Sequence, residues 1–569
     1  MKTVIAALNS KYVHMSLAPW YLKAACEGIG EIKVLEFTIN QDKSEIIKRL
    51  FEEKPDIVAF SCYIYNIIQI EAIVKDLKLI LPKLIIILGG PEVSFDAAEF
   101  LAANDAVDFI VCGEGELRLK SLLSAVAGEK SPADIDGIAM RGNTGIKFTP
   151  PAELSGSLDE LPSPYTAEML SAAAGKILYF EASRGCPFSC SYCLSSIAAG
   201  VRRFDFERIK TDLLKIMNSD ARQVKFVDRT FNCSLNNAKQ IVKFILDSAK
   251  KDESGKTSGK NYHFEVAADL FDDELIGLLG GAPAGLFQLE IGIQSFNEKT
   301  LAAVGRKTNL ELCGSNINKL LGFSNMHIHL DLIAGLPYED YLSFADSFNR
   351  IFELRPHCIQ LGFLKLLRGS KMRSDAQSYG YAYSQLAPYE VYSTPWLDYG
   401  SIIKLKGIET AVDALYNSGK FSTSLIYIID KFSGAFSFFE IFSVYLNAFY
   451  PEGYGIPLRE LYNLLLRFAA LHLGKYETEM FSELAKFDFF LSDNSRNPPS
   501  SFSRYEIPGV RSLYIAQNRS RGRVHFERFT INPLCYANAQ ETAGGTFDLR
   551  FDYSEKNPVT GHFKAECIS

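Results

Sequence analysis

The sequence predicts an α/β protein in three parts: a parallel sheet wrapped by helices, a partial barrel of six β/α units, and a mostly helical C-terminal part with some strands. Three observations lead there. Short β-rich runs alternate with amphipathic stretches over the first 130 residues, the same alternation resumes for six units after residue 177, and long helical patterns replace it beyond about residue 390. Strands separated by helix-length segments are what a parallel sheet with crossover helices requires.

In the first part, 1–130, the β-rich runs are Lys2-Asn9, Ile32-Thr38, Ile57-Ser61, Leu84-Gly89 and Phe109-Cys112, a Rossmann-like pattern. Ligands of such sheets sit beyond the C-terminal strand ends. Those ends read Asn9-Ser10-Lys11, Ser61-Cys62-Tyr63, Gly89-Gly90-Pro91-Glu92 and Gly113-Glu114-Gly115-Glu116, rich in small and turn-forming residues. Any one of these loops could simply end a strand; four on one edge indicate a site. Residues 131–174, with Pro150-Pro151 and Pro162-Ser163-Pro164 and no sustained periodicity, read as a surface linker with room for a short hairpin.

The second part, 175–385, carries strand-like runs at Ile177-Ala182, Val224-Asp228, Tyr262-Ala267, Leu286-Ile293, His327-Leu332 and Cys358-Phe363. Six units in succession favour a partial (β/α)6 barrel of the TIM type, whose chemistry gathers at the C-terminal strand ends. In the third part, 386–569, the helical patterns Phe432-Tyr450 and Pro457-Leu473 are followed, after Pro498-Pro499, by strand-like runs. The first of these helices is apolar, but its serines, Glu440 and Asn447 suit a buried aromatic helix rather than a membrane span.

A chain of 569 residues is longer than one core usually supports. With 47% hydrophobic and 22% charged residues it has the composition of an ordinary globular protein. A net charge of -7 argues against binding nucleic acid over its whole surface. The segment MKTVIAALNS runs straight into a strand and lacks a secretory signal's apolar core, so a cytoplasmic chain is expected. Eleven scattered cysteines, an odd number, fit a reducing compartment better than a disulfide scaffold.

The chemistry-bearing segment follows the first strand of the second part: Ser183-Arg184-Gly185-Cys186-Pro187-Phe188-Ser189-Cys190-Ser191-Tyr192-Cys193. Three thiolates in eight positions can wrap one corner of an iron-sulfur cubane and leave one iron without a protein ligand. That open iron can chelate the amino and carboxylate groups of a bound molecule. A structural zinc site would want a fourth ligand, and no Cys or His follows at finger-like spacing.

The CxxxCxxC spacing with Tyr192 before the last cysteine resembles the radical S-adenosylmethionine (SAM) superfamily. The likeness continues through Val224-Lys225-Phe226-Val227-Asp228-Arg229-Thr230, where the related motif more often has Asp in place of Arg229, and through Phe264-Glu265-Val266, Leu289-Glu290-Ile291-Gly292, Val304-Gly305-Arg306 and Asp331-Leu332-Ile333-Ala334-Gly335-Leu336-Pro337. It implies a [4Fe-4S] cluster on Cys186, Cys190 and Cys193, and S-adenosyl-L-methionine held by Tyr192, Asp228, Glu265, Glu290 and Arg306. Arg306 suits the SAM carboxylate, which a guanidinium grips bidentately. An internal salt bridge is the alternative role for Glu265 and Asp228. The implied chemistry is one-electron reductive cleavage of SAM to methionine and a 5′-deoxyadenosyl radical, with an external electron donor such as flavodoxin or ferredoxin.

An α/β domain ahead of such a barrel, with the GGPE and GEGE loops, resembles the cobalamin-binding domain of the cobalamin-linked branch. That resemblance places cobalamin against Ser61, Cys62, Tyr63, Gly89, Gly90, Pro91, Glu92, Gly113, Glu114 and Gly115, and implies methylation of an unactivated centre in a small-molecule or peptide substrate. The Asp-x-His-x-x-Gly segment of other cobalamin proteins is absent, as it is from many members of the branch. His14, after the first strand, is either a substitute ligand or a helix-entry or surface histidine. The alternatives are radical cyclisation or rearrangement, RNA modification like that of the methylthiotransferases, and cofactor binding without catalysis. The C-terminal part resembles an uncharacterised domain of some of these enzymes. Its arginines 496, 504, 511, 519, 521, 523 and 528, with Tyr505 and Tyr514, form either a strip for RNA or an anionic substrate, or a solvated face balancing an acidic body.

Overall fold

A computed structural model of the chain describes all residues except 130, 143–144, 153–156, 198–199, 250–259, 452, 454, 495–497, 504–506, 508–523, 538–543 and 569. It divides into two compact units: Met1–Gln288 with Leu301–Asn309 and Phe363–Pro395, and Leu289–Thr300 with Leu310–Gly362 and Trp396–Ser569. The division falls inside the stretch 175–385 and not at its ends.

The first unit opens with β1 Lys2–Asn9, β2 Glu31–Thr38, β3 Ile57–Ser61, β4 Ile85–Gly89 and β5 Phe109–Val111, within a residue or so of the runs read from the sequence. They pair in parallel in the order β2-β1-β3-β4-β5. Both faces are covered, as a parallel sheet demands. Val4, Ala6 and Leu8 of β1 enter one core cluster and Ile5 the other, so the pleat sends alternate side chains to opposite layers. The hairpin expected in the linker forms as β6 Ile138–Gly142 and β7 Gly145–Thr149 and extends this sheet antiparallel from β5.

The second part of the unit holds β8 Ile177–Phe180, a short antiparallel hairpin of β9 Ser183–Gly185 and β10 Val201–Arg203, then β11 Gln223–Phe226 and β12 Asn261–Val266. β11 lies between β8 and β12, parallel to both. Phe180, Phe226, Phe231 and Phe264 pack edge-on, tilted or stacked at ring-centroid distances of 4.0 to 5.4 Å, an aromatic cluster to which these strands contribute from the face opposite Tyr179, Lys225 and Glu265.

In the second unit β13 Phe287–Gln294, all but its first two residues, is followed by β14 His327–Ala334 and β15 Cys358–Phe363, with helices Leu310–Gly322 and Tyr341–Glu353 between them. All six predicted strands of the second part therefore form. The helical patterns of the third part become helices Ala435–Phe449 and Leu458–His472, joined by helices Tyr399–Val412 and Lys475–Ser492. Phe438, Phe439 and Phe442 are buried in this bundle, and among the described residues no helix is long and apolar enough to cross a membrane. A three-stranded antiparallel sheet of Val524–Ile531, Gly544–Lys556 and Phe563–Cys567 closes the chain. Of the arginine strip only Arg528 lies among the described residues, and it is paired bidentately with Asp548 at 2.7 and 2.8 Å; arginines 496, 504, 511, 519, 521 and 523 and Tyr505 and Tyr514 lie outside them.

Glu339, just past the end of β14, is fully buried and accepts hydrogen bonds from Ser295 (2.6 Å) and Ser347 (3.3 Å). Burial disfavours its charged form and pushes the carboxyl up to about 7, with the two serines opposing. A carboxyl raised in this way stabilises the fold fully below its ordinary range near 4.5, and that contribution is lost as pH rises through 7. Glu339→Gln is therefore expected to flatten the fall in stability between pH 4.5 and 8 by about 3 kcal/mol relative to wild type, read by denaturant unfolding at each pH. Parallel pH profiles for the two proteins would contradict it.

Candidate cluster loop and corrinoid cavity

The cysteine loop begins on β9, and the backbone there leaves little freedom. Gly185 sits at φ +98°, and a Cβ at that position would lie 2.2 Å from the carbonyl oxygen of Gly200, the residue just before the facing strand. Only glycine fits directly before Cys186. The turn from β8 into β9 is held by Asp228, which accepts from the Ala182 N–H at 3.0 Å and the Ser183 hydroxyl at 2.5 Å. Burial pushes Asp228 up to about 7, Ser183 and the Ala182 N–H opposing, while the negative charge of Glu181 adds to the rise. Its place in the structure is thus at the root of the loop, tying two strand ends together.

The far side of the loop is pinned by segments distant in sequence. Ser191 donates its N–H to the Val304 carbonyl (2.9 Å) and accepts from the Met372 N–H (2.8 Å). Gly305 (φ +70°) lies so close that a Cβ would stand 3.2 Å from the Ser189 carbonyl oxygen. This contact explains the glycine of Val304-Gly305-Arg306, and it sets Arg306 Nη1 3.9 Å from Cys190 Sγ. Burial works against the Arg306 charge, but Tyr192 and Cys190 beside it outweigh that and hold its pKa raised. Burial likewise raises the Tyr192 hydroxyl, with Arg306 opposing.

Cys190 is buried, and Cys186 and Cys193 are half-buried; none of the chain's cysteines is in a disulfide. Cys186 Sγ lies 3.7 Å from Thr230 Oγ1. Among the described residues no three His, Cys, Asp or Glu side chains converge as ligands of a single metal ion. A cubane asks for a different arrangement, because each thiolate takes a separate iron. Three free thiols on one externally pinned loop, with a cation beside the middle one, fit that donor set.

The SAM candidates separate. Tyr192 and Arg306 stand at the loop, whereas Glu265 on β12 is 3.6 Å from Lys225 Nζ, the ion pair expected as its alternative role. Glu290 lies on β13 in the second unit, half-buried on the strand face opposite Leu289 and Ile291.

Beside the loop is a cavity of about 840 Å³ within the first unit. The strand order reverses between β1 and β3, and a ligand crevice belongs there, outside the carboxyl ends. Ser61, Tyr63, Gly89, Gly90, Pro91, Gly113, Glu114 and Gly115 all line it. Cys62 and Glu92 do not. Cys62 is fully buried with its Sγ 3.8 Å from the Phe60 carbonyl oxygen, and burial raises its thiol pKa. Glu92 is buried and accepts a hydrogen bond from Tyr389 (2.7 Å), so it anchors the segment after β15 instead of facing the cavity.

His14 is neither on a helix nor free at the surface. Its backbone bridges to Ile177 at the start of β8, its Nδ1 lies 2.8 Å from the Tyr179 hydroxyl, and it lines the cavity. Burial lowers its pKa, so the neutral ring is favoured, and Lys11 and Lys225 add to the effect.

Several positioning residues carry no motif. Asn66 bonds the Leu8 and Ser61 carbonyls and the Tyr63 N–H, fixing two strand-end loops; Glu36 accepts from Asn9, Ser16 and Trp20. The opposite wall is made by Tyr179, Glu181, Arg184 and Leu194, the last directly following Cys193.

Comparison with known proteins agrees with this geometry. Residues 3–123 match the B12 binding domain family, 180–351 the radical SAM superfamily, and 377–532 a protein family of unknown function, DUF4080. The chain therefore carries a B12 binding domain match followed by a radical SAM superfamily match. It is 27% identical over 324 residues to 2-(S-pantetheinyl)-carbapenam-3-carboxylate methyltransferase of Streptantibioticus cattleyicolor, a match covering 53% of this chain and 46% of that protein. The chain thus spans about half the length of that curated relative. In fold it is similar to the radical S-adenosylmethionine methyltransferase TsrM of Kitasatospora setae, solved with cobalamin and a [4Fe-4S] cluster (TM-score 0.56, 16% identity, 67% of this chain and 76% of that one). It is also similar to the cobalamin-dependent radical enzyme OxsB, solved with aqua-cobalamin and S-adenosylmethionine (TM-score 0.57, 14% identity, 86% and 78%).

Cys190→Ala is expected to cut iron and sulfide from about four per chain to under one after anaerobic reconstitution. Cys233→Ala, outside the loop, should leave both unchanged. Equal iron in the two variants would remove Cys190 from the ligand set.

Proposed function

We propose that this chain is a radical SAM enzyme that holds cobalamin in the 840 Å³ cavity and methylates an unactivated centre of a small-molecule or peptide substrate. The observation that carries the reading is the shared wall. The corrinoid-type crevice of the N-terminal sheet is bounded on its far side by Leu194, the residue next to the last cluster cysteine. A methyl carrier and a radical source must both reach one substrate atom, and a common wall gives them that proximity.

When bound, the cluster supplies the electron that cleaves SAM to methionine and a hydrogen-abstracting 5′-deoxyadenosyl radical, and the corrinoid carries a methyl group taken from a second SAM. The chain's own residues bind and orient. Cys186, Cys190 and Cys193 would hold the cluster, and Arg306, beside Cys190, would support the carboxylate of SAM. Tyr192, beside Arg306 at the same loop, adds to these contacts. The strand-end glycines 89, 90, 113 and 115 allow the backbone to approach the corrinoid closely. An external donor of the flavodoxin or ferredoxin kind supplies electrons in the cytoplasm.

Anaerobic protein expressed with added cobalamin, then given SAM and a reductant, is expected to show iron-sulfur and corrinoid absorption together and to release both 5′-deoxyadenosine and S-adenosylhomocysteine. S-adenosylhomocysteine accompanies any methyl transfer out of SAM, so it reads methylation before the substrate is known. Release of 5′-deoxyadenosine alone would move the assignment to radical cyclisation or rearrangement.

A further inference from the structure

The GEGE loop after β5 does something the corrinoid alone does not require. Arg184 on β9 and Arg202 on β10 are directly opposed in the hairpin register, a like-charge pairing that is unfavourable by itself. Glu114 resolves it by taking both: its Oε2 lies 3.1 Å from Arg184 Nη1, and its Oε1 pairs with Arg202 Nη2. Arg184 is bound further by Glu116 at 2.5 Å and by both oxygens of Glu181 at 3.1 Å, and its guanidinium lies 5.3 Å from the Tyr21 ring centre. Arg184, Glu116 and Glu181 are each under 15% exposed.

The consequence is mechanical. Glu114, Glu116, Glu181 and Arg184 all line the cavity, and Arg184 is separated from Cys186 only by the pinched Gly185. Moving the β5 loop to admit or release a corrinoid pulls on the strand that ends at the first cluster thiol. Both sheets meet at this point within one compact unit, so the ions connect two loops that local backbone hydrogen bonds leave independent.

We infer that Glu114 and Glu116 with Arg184 and Arg202 form an ionic clasp that couples occupancy of the corrinoid cavity to the seating of the cluster loop, each bound cofactor favouring the other. The clasp rests on the cobalamin reading above. Its residues are positioning residues, acting through the loops they join. Coupling between sites is reciprocal, so it is readable from either one.

The test uses the full chain with its cluster reconstituted anaerobically, measuring the dissociation constant of hydroxocobalamin by absorption with and without SAM. In wild type, SAM is expected to tighten corrinoid binding by about fivefold or more. In Arg202→Gln that ratio is expected to fall to near one while iron content stays at the wild-type level, and Arg202→Lys, which keeps the charge, is expected to recover part of it. Glu114→Gln serves as a second break in the clasp should Arg202→Gln fold poorly. A wild-type ratio of one, or an unreduced ratio in folded Arg202→Gln or Glu114→Gln, would overturn the clasp while leaving the cobalamin assignment standing. Failure of wild type to bind hydroxocobalamin at all would overturn both.

Discussion

The eight-residue loop that carries the three cluster cysteines has no helix or strand of its own to fix where its thiols point. The protein holds the loop from outside. At its start, Gly185 is pressed against the Gly200 carbonyl and Asp228 ties the end of β8 to the start of β9. At its far side Val304 and Met372, both more than a hundred residues further along the chain, clamp the backbone of Ser191. Everything proposed for the chemistry depends on these contacts, since an open iron exists only if the loop presents three thiolates and no fourth.

The same contacts explain why the motifs lie where they do. Val304-Gly305-Arg306 is a docking element as much as a ligand element: its glycine allows the close approach and its arginine is delivered to Cys190 by that approach. Asp228 belongs to the same scaffold. Burial pushes its carboxyl up to about 7 while its two oxygens join the end of β8 to the start of β9. On the other side, the order β2-β1-β3-β4-β5 creates one crevice at the β1–β3 reversal, and all four glycine-bearing or small-residue loops open into it.

Much of this was legible in the sequence, for a physical reason. Strands buried on both faces are continuous apolar runs, so Lys2–Asn9 and Ile57–Ser61 could be read to the residue. The cysteine loop was legible because its spacing is the chemistry. What could not be read is whatever long-range contact decides. Glu92 follows the glycines of the GGPE loop and yet bonds Tyr389, nearly three hundred residues away. Cys62 sits between two cavity-lining residues, and strand alternation turns it inward. The acidity of the GEGE loop was visible, and so were the arginines flanking the cysteines, but nothing local joins residues 114 and 202. The linker hairpin was expected, whereas its addition to the edge of the N-terminal sheet needed the partner strand β5.

The most direct measurement of the central claim is electron-nuclear double resonance on the reduced cluster, with SAM carrying 17O in its carboxylate and 15N in its amino group. Chelation of the open iron predicts hyperfine coupling from both labels. Labels that stay silent while SAM is demonstrably bound would contradict the account, since the three thiolates would then leave no iron free to hold it.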